Sequence, residues 1–309
     1  MICTVTVNPA IDRLIYITEF HRDNTNRIKQ QKEVLGGKGT HVSVNLNILG
    51  CRNKAFGITL GKRGRRIEEM LSGEKIDMEF LHYNEGESRL NYALLEEDST
   101  CTLIAEKGRT VSKEQCEALI QKIYDGVADG DILVLSGDAS NTEIPLIYTR
   151  IIQKVSDKKV KIFLDSSSEN LTSALRLRPF LIKPNEDELS QILKEEIRDE
   201  HQILKGLEIL SGLGISCVAV SCGGNGSYIS YEDQIYRIHP MDVHAVNTIG
   251  CGDAFLSGLA YGFDRGLEFT DILRYASAVS TATAEFNSTV GFDKDRAREL
   301  LSQVKIEKL

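Results

Sequence analysis

Short apolar, β-branched runs alternate with stretches of helical periodicity along most of the chain. The apolar runs predict strands at Ile2–Val7, Ile132–Ser136, Lys161–Asp165, Phe180–Lys183, Cys217–Ser221 and Ser227–Ser230. The periodic stretches predict helices at Thr40–Leu49, Arg65–Leu71, Lys113–Tyr124, Glu143–Val155, Glu186–Leu193 and Gln202–Leu210. This alternation predicts an α/β fold, built from βαβ units around a mostly parallel central sheet that helices cover on both faces. Ligands of such sheets bind at the carboxyl ends of the strands, where we expect Asp138, Asp165, Asn185 and Ser221.

Four extended segments break this alternation, because no helical stretch separates the two members of each pair. The pairs are Leu14–Phe20 with Ile28–Val34, and Arg89–Glu96 with Thr100–Glu106. The acidic turn Glu97–Ser99 predicts an antiparallel hairpin for the second pair. We predict that both pairs form a small β-sheet lid, from about 13–35 and 88–107, inserted in a single domain of residues 1–309. Two surface hairpins without a role are the alternative.

Charge and composition exclude several classes of partner. The formal net charge of −8 argues against a nucleic-acid or anionic-membrane surface, although it is compatible with a local basic pocket. No apolar run approaches the roughly 20 residues that span a bilayer, and the N-terminus lacks the features of a secretory signal. The seven cysteines are scattered and include no C-x-x-C pair, so we expect a cytoplasmic protein without disulfides or zinc.

The turn Gly250–Asp253 precedes an apolar periodic run and predicts the first turn of a helix. The unpaired N–H groups of such a turn bind anions, and glycines let a phosphate approach the backbone closely. Asp253 would repel a phosphate, which makes sense if it takes a proton from a hydroxyl that attacks that phosphate. The alternative is a glycine-rich turn whose Asp caps the helix. Cys251 is predicted to act through its N–H group, because no histidine adjacent in sequence activates its thiol.

Three further motifs precede this turn and complete a set of four in order along the chain. They are Asn8-Pro9-Ala10-Ile11-Asp12, Gly36-Gly37-Lys38-Gly39-Thr40-His41-Val42 and Lys183-Pro184-Asn185-Glu186-Asp187-Glu188-Leu189. The second motif is not a P-loop, since Gly39 follows Lys38 where Ser or Thr is required. A dinucleotide-binding fingerprint is also excluded, because Val42 and Phe255 stand where it needs a third glycine or alanine. The four motifs together resemble the phosphofructokinase-B family of ribokinase-like sugar kinases, over essentially the whole chain.

This resemblance implies a ribokinase-like three-layer α/β/α fold and an ATP- and Mg²⁺-dependent kinase of a small-molecule sugar phosphate. The first two motifs are most similar to the branch of 1-phosphofructokinases and tagatose-6-phosphate kinases. Fructose 1-phosphate is therefore the first expected substrate and tagatose 6-phosphate the second, each converted to a bisphosphate. Two alternatives stay open: a kinase of an unphosphorylated sugar or a nucleoside, and a catalytically silent sugar-phosphate sensor. Exposed sheet edges in the lid also predict a homodimer.

The resemblance also implies a role for each motif residue. Asp253 is the expected catalytic base, with N–H groups of Gly250, Cys251 and Gly252 holding the transferred phosphoryl group. The expected sugar-binding residues are Asp12, Gly36, Gly37, Gly39, His41 and Asp138, with Arg27 and Arg89 on the sugar's phosphate and Lys38 facing either substrate or solvent. The expected nucleotide-binding residues are Lys183, Asn185, Ser221, Gly223, Gly224, Gly226 and Thr248. Glu188 is expected to organise Mg²⁺, in part through water.

Three positions depart from the family pattern. Asn247 stands where most members have Asp, although the sugar-phosphate branch often has Asn, and His41 stands where most members have Asn. The segment Leu135–Ser140 replaces the usual Gly-Ser-x-Pro stretch, so that Asp138 adds negative charge near the expected pocket. These changes leave open a different sugar, a less charged substrate, or compensation by Lys107.

Overall fold

The computed structural model describes residues 1–74 and 76–309. The strands are β1 (Ile2–Thr6), β2 (Ala10–Tyr16), β3 (Gln30–Gly36), β4 (Asn53–Leu60), β5 (Asp77–Tyr83), β6 (Arg89–Leu95), β7 (Cys101–Ile104), β8 (Ile132–Ser136), β9 (Lys161–Asp165), β10 (Leu181–Ile182), β11 (Cys217–Ser221), β12 (Ser227–Tyr231), β13 (Gln234–Ile238) and β14 (Ile306–Lys308). The helices are α1 (Lys38–Ile48), α2 (Gly61–Gly73), α3 (Lys113–Gly126), α4 (Ile147–Lys154), α5 (Ser168–Ala174), α6 (Glu186–Leu193), α7 (Glu200–Gly212), α8 (Cys251–Arg265), α9 (Phe269–Ala284) and α10 (Lys294–Leu301). In this described part, none of the helices is both long and apolar enough to cross a membrane.

A ten-stranded sheet forms the centre of the molecule, in the order β14-β13-β12-β11-β10-β9-β8-β1-β4-β5. The strands from β11 to β5 in this order run parallel, and β12, β13 and β14 extend it antiparallel at one edge. The carboxyl ends of the parallel strands therefore meet at one edge of the sheet. This arrangement confirms the predicted α/β fold with a mostly parallel sheet.

Alternating side chains of the strands pack against helices on both faces of the sheet. In β1, Cys3 and Val5 belong to an apolar cluster that includes residues of α3, α4, α5, α6 and α7. Ile2 belongs to a second cluster with residues of α1, α8, α9 and α10. Because successive side chains of a strand point to opposite faces, the two clusters are two separate helical layers. The molecule thus has the expected three-layer α/β/α arrangement.

A second sheet of four strands, which we call the small sheet, has the order β3-β2-β6-β7. β2 and β3 pair antiparallel, β2 and β6 pair parallel, and β6 and β7 form the predicted antiparallel hairpin. Its strands arise from the segments predicted to form the lid, although β2 begins at Ala10, four residues before the predicted start. The earlier start brings Asp12 into the sheet, opposite Asn91 of β6.

The sequence predictions failed where local signals conflict with packing. β4 was not predicted, because Gly57 in its middle is typical of a strand break. In the structure a Cβ at Gly57 would lie 2.4 Å from the Phe80 ring, so the glycine admits the neighbouring strand. The helix predicted from Glu143 begins only at Ile147. Glu143 instead accepts a hydrogen bond from the Lys113 N–H at the start of α3, and Leu146 adopts a left-handed conformation.

Candidate active site

A cavity of about 390 Å³ lies at the carboxyl edge of the central sheet, where the small sheet faces it. The ends of β1, β8 and β11 contribute Thr6, Ser136 and Ser221 to its lining. The small sheet contributes Asp12, and the beginning of α8 contributes Asp253. The side chains predicted from separate motifs are thus brought together at the edge where parallel sheets bind ligands.

The local structure of α8 explains the glycine at its N-cap. Gly250 has a φ of 83°, and a Cβ there would lie 2.1 Å from the Thr289 carbonyl oxygen. The first intrahelical bond runs from the Ala254 N–H to the Gly250 carbonyl, at 2.9 Å. The N–H groups of Gly252 and Asp253 precede that bond, as does that of Cys251, which donates to the Thr248 carbonyl oxygen at 3.4 Å, so the positive end of the helix lies at the cavity.

Asn247 holds the turn before α8 against a neighbouring loop. Its amide nitrogen donates to the carbonyl oxygens of Phe286 and Ser288, at 3.0 and 3.2 Å. Its amide oxygen accepts from the Ile249 N–H at 3.1 Å. The Asp usual at this position could make only the last of these contacts as a carboxylate. Asn247 therefore acts as a brace of the helix start.

Asp253 and His41 form a buried pair at the floor of the cavity. The carboxylate is 6% exposed and the imidazole 3% exposed. Asp253 Oδ2 lies 2.7 Å from His41 Nδ1, whereas His41 Nε2 lies 3.0 Å from the Leu35 carbonyl oxygen. Burial opposes charge on the ring, but the hydrogen bond and the charge of Asp253 outweigh it and raise the pKa of His41 above its ordinary value.

Asp12 is the second carboxylate of the cavity floor. Its Oδ1 accepts a hydrogen bond from Asn91 Nδ2 at 2.8 Å, and its Oδ2 lies 3.9 Å from His41 Nε2. A Cβ at Gly36 would lie 2.1 Å from Asp12 Oδ1, so the glycine makes room for the carboxylate itself. Burial raises the pKa of Asp12, although the His41 charge and the Asn91 hydrogen bond act against it.

Two lysines of the cavity share one carboxylate. Lys38 Nζ lies 3.0 Å from Asp165 Oδ1, and Lys183 Nζ lies 3.4 Å from Asp165 Oδ2. The Asp165 side chain is fully buried. Burial alone would raise its pKa, but the two ammonium groups outweigh this effect and lower it. Lys38 therefore lines the cavity while 40% of its side chain stays exposed, so a substrate contact remains a prediction.

The two predicted phosphate-binding arginines lie in different places. The Arg89 guanidinium lines the cavity and is oriented by the Asn8 carbonyl, to which Nε and one terminal nitrogen donate at 3.1 and 2.8 Å. Arg27 is exposed in the loop between β2 and β3 and does not line this cavity. Asp138 lies at the rim, where its carboxylate accepts from the N–H and the hydroxyl of Ser140.

A second cavity, of about 510 Å³, adjoins the first through Ser221 and Gly252. The predicted nucleotide-binding glycines and Thr248 line it, together with Ser277 and Ser280 of α9. Cys251 also lines it, and burial raises the pKa of its thiol to about 12. A thiol with such a pKa is a poor nucleophile at neutral pH.

Asn185 and Glu188 form a capping box at the start of α6. The Asn185 side chain accepts from the Glu188 N–H at 2.7 Å, and a Glu188 carboxylate oxygen accepts from the Asn185 N–H at 3.0 Å. Both residues also line the first cavity. Asn185 and Glu188 can therefore cap the helix and also contact a ligand, since each side chain has a second polar atom that the capping box does not use.

Sequence reasoning assigned no role to several residues of the site. Asp165 was predicted only to lie at a strand end. Its ion pairs with Lys38 and Lys183 were not predicted, because the two lysines belong to motifs far apart in sequence. Asn91 lies inside a strand of the small sheet and carries no local signal. Asn8 stands within the first motif, and its carbonyl orients Arg89. Its place in that motif was the one signal that could have singled it out.

The fold and the site define a class of protein, the α/β/α enzymes that transfer a phosphoryl group between two adjoining cavities. A helix start at the junction, with an aspartate and two lysines in the first cavity, presents the kinds of group that phosphoryl transfer uses for positioning and charge stabilisation. The family model of the pfkB family carbohydrate kinases matches residues 5–293, and the chain belongs to this family. It is therefore an enzyme that phosphorylates a carbohydrate hydroxyl, and the family implies ATP as the phosphoryl donor.

Similar proteins carry names of several sugar-phosphate kinases. The chain is 29% identical to a 1-phosphofructokinase of Bacillus subtilis, with 100% of both chains covered. It is 33% identical to a D-tagatose-1-phosphate kinase of Bacillus licheniformis, with 100% of both chains covered. It is 29% identical to a tagatose-6-phosphate kinase of Staphylococcus epidermidis, with 99% of both chains covered. Phosphofructokinase-2 of Escherichia coli shares the fold, with a TM-score of 0.91 at 21% identity and 98% coverage of both chains.

Proposed function

We propose that the protein is an ATP-dependent kinase of a ketohexose phosphate, with fructose 1-phosphate as its first substrate and tagatose 6-phosphate as the second candidate. The observation that carries this proposal is the position of Asp253, at the start of α8 and on the floor of a cavity that meets a second cavity at Gly252. The names of the relatives support a ketohexose phosphate as the acceptor.

In the proposed reaction, the sugar hydroxyl gives its proton to Asp253 as its oxygen forms a bond to the γ-phosphorus. The bond between that phosphorus and the β,γ-bridging oxygen breaks, and the electron pair leaves with ADP. N–H groups at the start of α8 stabilise the charge on the transferred group, and each such donor is worth about 3–4 kcal/mol. Asp12 accepts hydrogen bonds from other sugar hydroxyls, for which a carboxylate is suited.

Arg89 supports a phosphorylated acceptor. A planar guanidinium binds phosphate oxygens in pairs, and the Asn8 carbonyl already fixes this one in orientation. Arg89 lines the same cavity as Asp12 and Asp253, on the side of the small sheet. We therefore place the phosphate of the sugar near Arg89, and the small sheet over the substrate as a lid.

The donor set of the site fits a magnesium ion that is held mainly by phosphates and water. Among the described residues no group of three or more His, Cys, Asp or Glu side chains could hold a metal ion. Mg²⁺ commonly binds through one or two carboxylates, several waters and the phosphates of its substrate, and Glu188 with Asn185 lines the cavity. These two residues would hold the ion, which neutralises charge on the nucleotide phosphates when bound.

Release of ADP in a coupled assay tests this proposal. The acceptors to compare are fructose 1-phosphate, tagatose 6-phosphate, tagatose 1-phosphate, the unphosphorylated sugars and nucleosides. We expect the highest kcat/KM with fructose 1-phosphate and at least tenfold lower values with unphosphorylated sugars. Turnover of an unphosphorylated sugar or a nucleoside alone would refute the substrate class. Binding of sugar phosphates without ADP release would indicate a sensor.

The small sheet also supports a homodimer. Leu103 and Ile104 of β7 are 49% and 54% exposed, and Phe20 and Ile28 in the neighbouring loop are 40% and 53% exposed. Apolar side chains beside a sheet edge are commonly covered by a second chain. We expect light scattering at micromolar concentration to give twice the 34.4 kDa mass of the chain; a monomer would contradict the proposal.

A further inference from the structure

Both ring nitrogens of His41 face hydrogen-bond acceptors. Nδ1 lies 2.7 Å from a carboxylate oxygen of Asp253, and Nε2 lies 3.0 Å from the carbonyl oxygen of Leu35. A neutral imidazole carries one N–H group, so it satisfies one acceptor and turns a lone pair toward the other. The imidazolium carries two N–H groups and satisfies both. The two distances therefore favour the charged form of a ring that is almost completely buried.

We propose that His41 is an imidazolium that positions the catalytic base Asp253, and that it is not a ligand of the sugar. The inference rests on the proposed function, in which Asp253 takes the proton of the sugar hydroxyl. The N–H group on Nδ1 holds Oδ2 and so fixes the rotation of the carboxylate, which leaves Oδ1 for the hydroxyl. Because both N–H groups are used within the protein, the ring offers none to the sugar.

The charged groups around the ring are consistent with this state. Asp253 of α8 and Asp12 of β2 approach it, the latter at 3.9 Å from Nε2, and β3 presents the Leu35 carbonyl. Asp138 and Glu188 also line this cavity, whose cations are Lys38, Arg89 and Lys183. The two lysines are paired with Asp165, and the charged groups that approach the His41 ring are the carboxylates of Asp253 and Asp12. They outweigh the cost of burial and raise the pKa of the ring.

Loss of the second proton should disturb the base. If the proton on Nδ1 leaves, a lone pair faces Asp253 Oδ2 at 2.7 Å, and the carboxylate is repelled from its position. If the proton on Nε2 leaves, a lone pair faces the Leu35 carbonyl and the ring tilts. Because the pKa of His41 is raised, this loss occurs above the ordinary value of about 6.5. Turnover should therefore fall on the alkaline side through that raised pKa.

Nuclear magnetic resonance of the protein with ¹⁵N-labelled histidine tests the charge state without any substrate. We expect both ring nitrogens of His41 to be protonated at pH 7.5, about one unit above the ordinary imidazole value. A ring with one bare nitrogen at that pH would overturn the inference. The signal is assigned by its loss in His41→Asn. If that variant does not fold, elimination through single substitutions of the other five histidines assigns it; they are His21, His82, His201, His239 and His244.

Kinetics of His41→Asn separate a positioning residue from a sugar ligand. Asn cannot satisfy both acceptors, so we expect kcat to fall about tenfold to hundredfold, KM for the sugar phosphate to change less than threefold, and the alkaline fall in kcat to disappear. A raised KM with unchanged kcat, or a retained alkaline limb, would refute the positioning role. His82→Asn is the control, because His82 is also paired with a carboxylate, Glu68, but outside the cavity.

The two kinds of measurement distinguish failure of the inference from failure of the proposed function. If no sugar phosphate is turned over, the proposed function fails, yet the resonance experiment still decides whether His41 is charged. If the wild type turns over sugar phosphate and the ring is neutral, the inference alone fails.

Discussion

Replacement of Asp253 by Asn tests the central step of the proposed mechanism with little change in shape. Asn has nearly the same size as Asp, and its amide oxygen can accept the hydrogen bond that His41 Nδ1 makes at 2.7 Å. The amide nitrogen then takes the place of Oδ1 and faces the cavity. An amide nitrogen is a donor and accepts no proton, so the variant keeps the position of the group and loses its basicity.

The expected loss follows from the value of a positioned base. General base catalysis contributes about 10²–10⁴ in rate, which is about 3–5 kcal/mol of the activation barrier. The amide donors at the start of α8 and the lysines on Asp165 stay in place, so the residual rate reflects positioning and charge stabilisation. We therefore expect kcat to fall by about 10²–10⁴.

Two measurements are needed, ADP release for turnover and calorimetry for nucleotide binding. The second cavity is lined by residues other than Asp253, so we expect the dissociation constant for the nucleotide to change less than threefold. Asp271→Asn is a suitable control, because this carboxylate on α9 is half-exposed and pairs only with Arg274 among the described residues. A kcat of Asp253→Asn within tenfold of the wild type would refute Asp253 as the base.

Four further predictions test other parts of the site. Arg89→Ala should raise KM for a sugar phosphate at least tenfold more than KM for any unphosphorylated sugar that is turned over, and equal effects would argue against a phosphate at this position. Gly250→Ala should lower the free energy of unfolding in urea by roughly 3 kcal/mol, since the residue has a positive φ and no room for a Cβ. Gly212→Ala is the control, because the space around Gly212 is open, and it should change this free energy by less than about 1 kcal/mol. The two lysines that lower the pKa of Asp165 stabilise the folded protein at pH values above the ordinary carboxyl pKa of about 3.9. This stabilisation is lost as the pH falls through the lowered pKa. Asp165→Asn should therefore show a flatter dependence of unfolding free energy on pH in that acidic range, and an unchanged slope would contradict the assigned ion pairs. Cys251→Ser should keep kcat within about threefold, because a thiol with a pKa of about 12 is not the nucleophile. A hundredfold loss of kcat would instead indicate that the Cys251 thiol takes part in the reaction.

Most of the central sheet could be predicted because its strands are buried on both faces. β8, β9 and β11 are continuous apolar runs bounded by polar residues, and their predicted bounds agree with the structure. β4 and β5 could not be predicted in this way. Gly57 interrupts the pattern of β4, and the residues of β5 are all only partly buried, so neither strand shows a clear alternation. Their place depends on the contact between Gly57 and Phe80, which no local pattern records.

The site divides in the same way. The family resemblance implied that Asp253, Asp12 and Lys183 share one site, and all three line one cavity in the structure. The partners of His41 were not predicted, because the resemblance placed this residue beside the sugar, and its contacts with Asp253 and Leu35 depend on the orientation of the ring and on the end of β3. The role of Arg27 stays a prediction. Its position in the sequence suggested a phosphate contact, yet the loop that carries it leaves its side chain exposed outside the cavity.

Asp165 explains how the site can hold two lysines beside a helix start that attracts anions. Free ammonium groups repel each other, but each of these lies near one oxygen of the same buried carboxylate. The longer contact belongs to Lys183, and a Cβ at Gly252 would lie 3.3 Å from Lys183 Nζ. No side chain of Gly252 stands between that ammonium and the junction of the two cavities. In the proposed reaction, a phosphoryl group that passes from one cavity to the other crosses this junction, where a prepositioned cation would stabilise its charge without reorganisation.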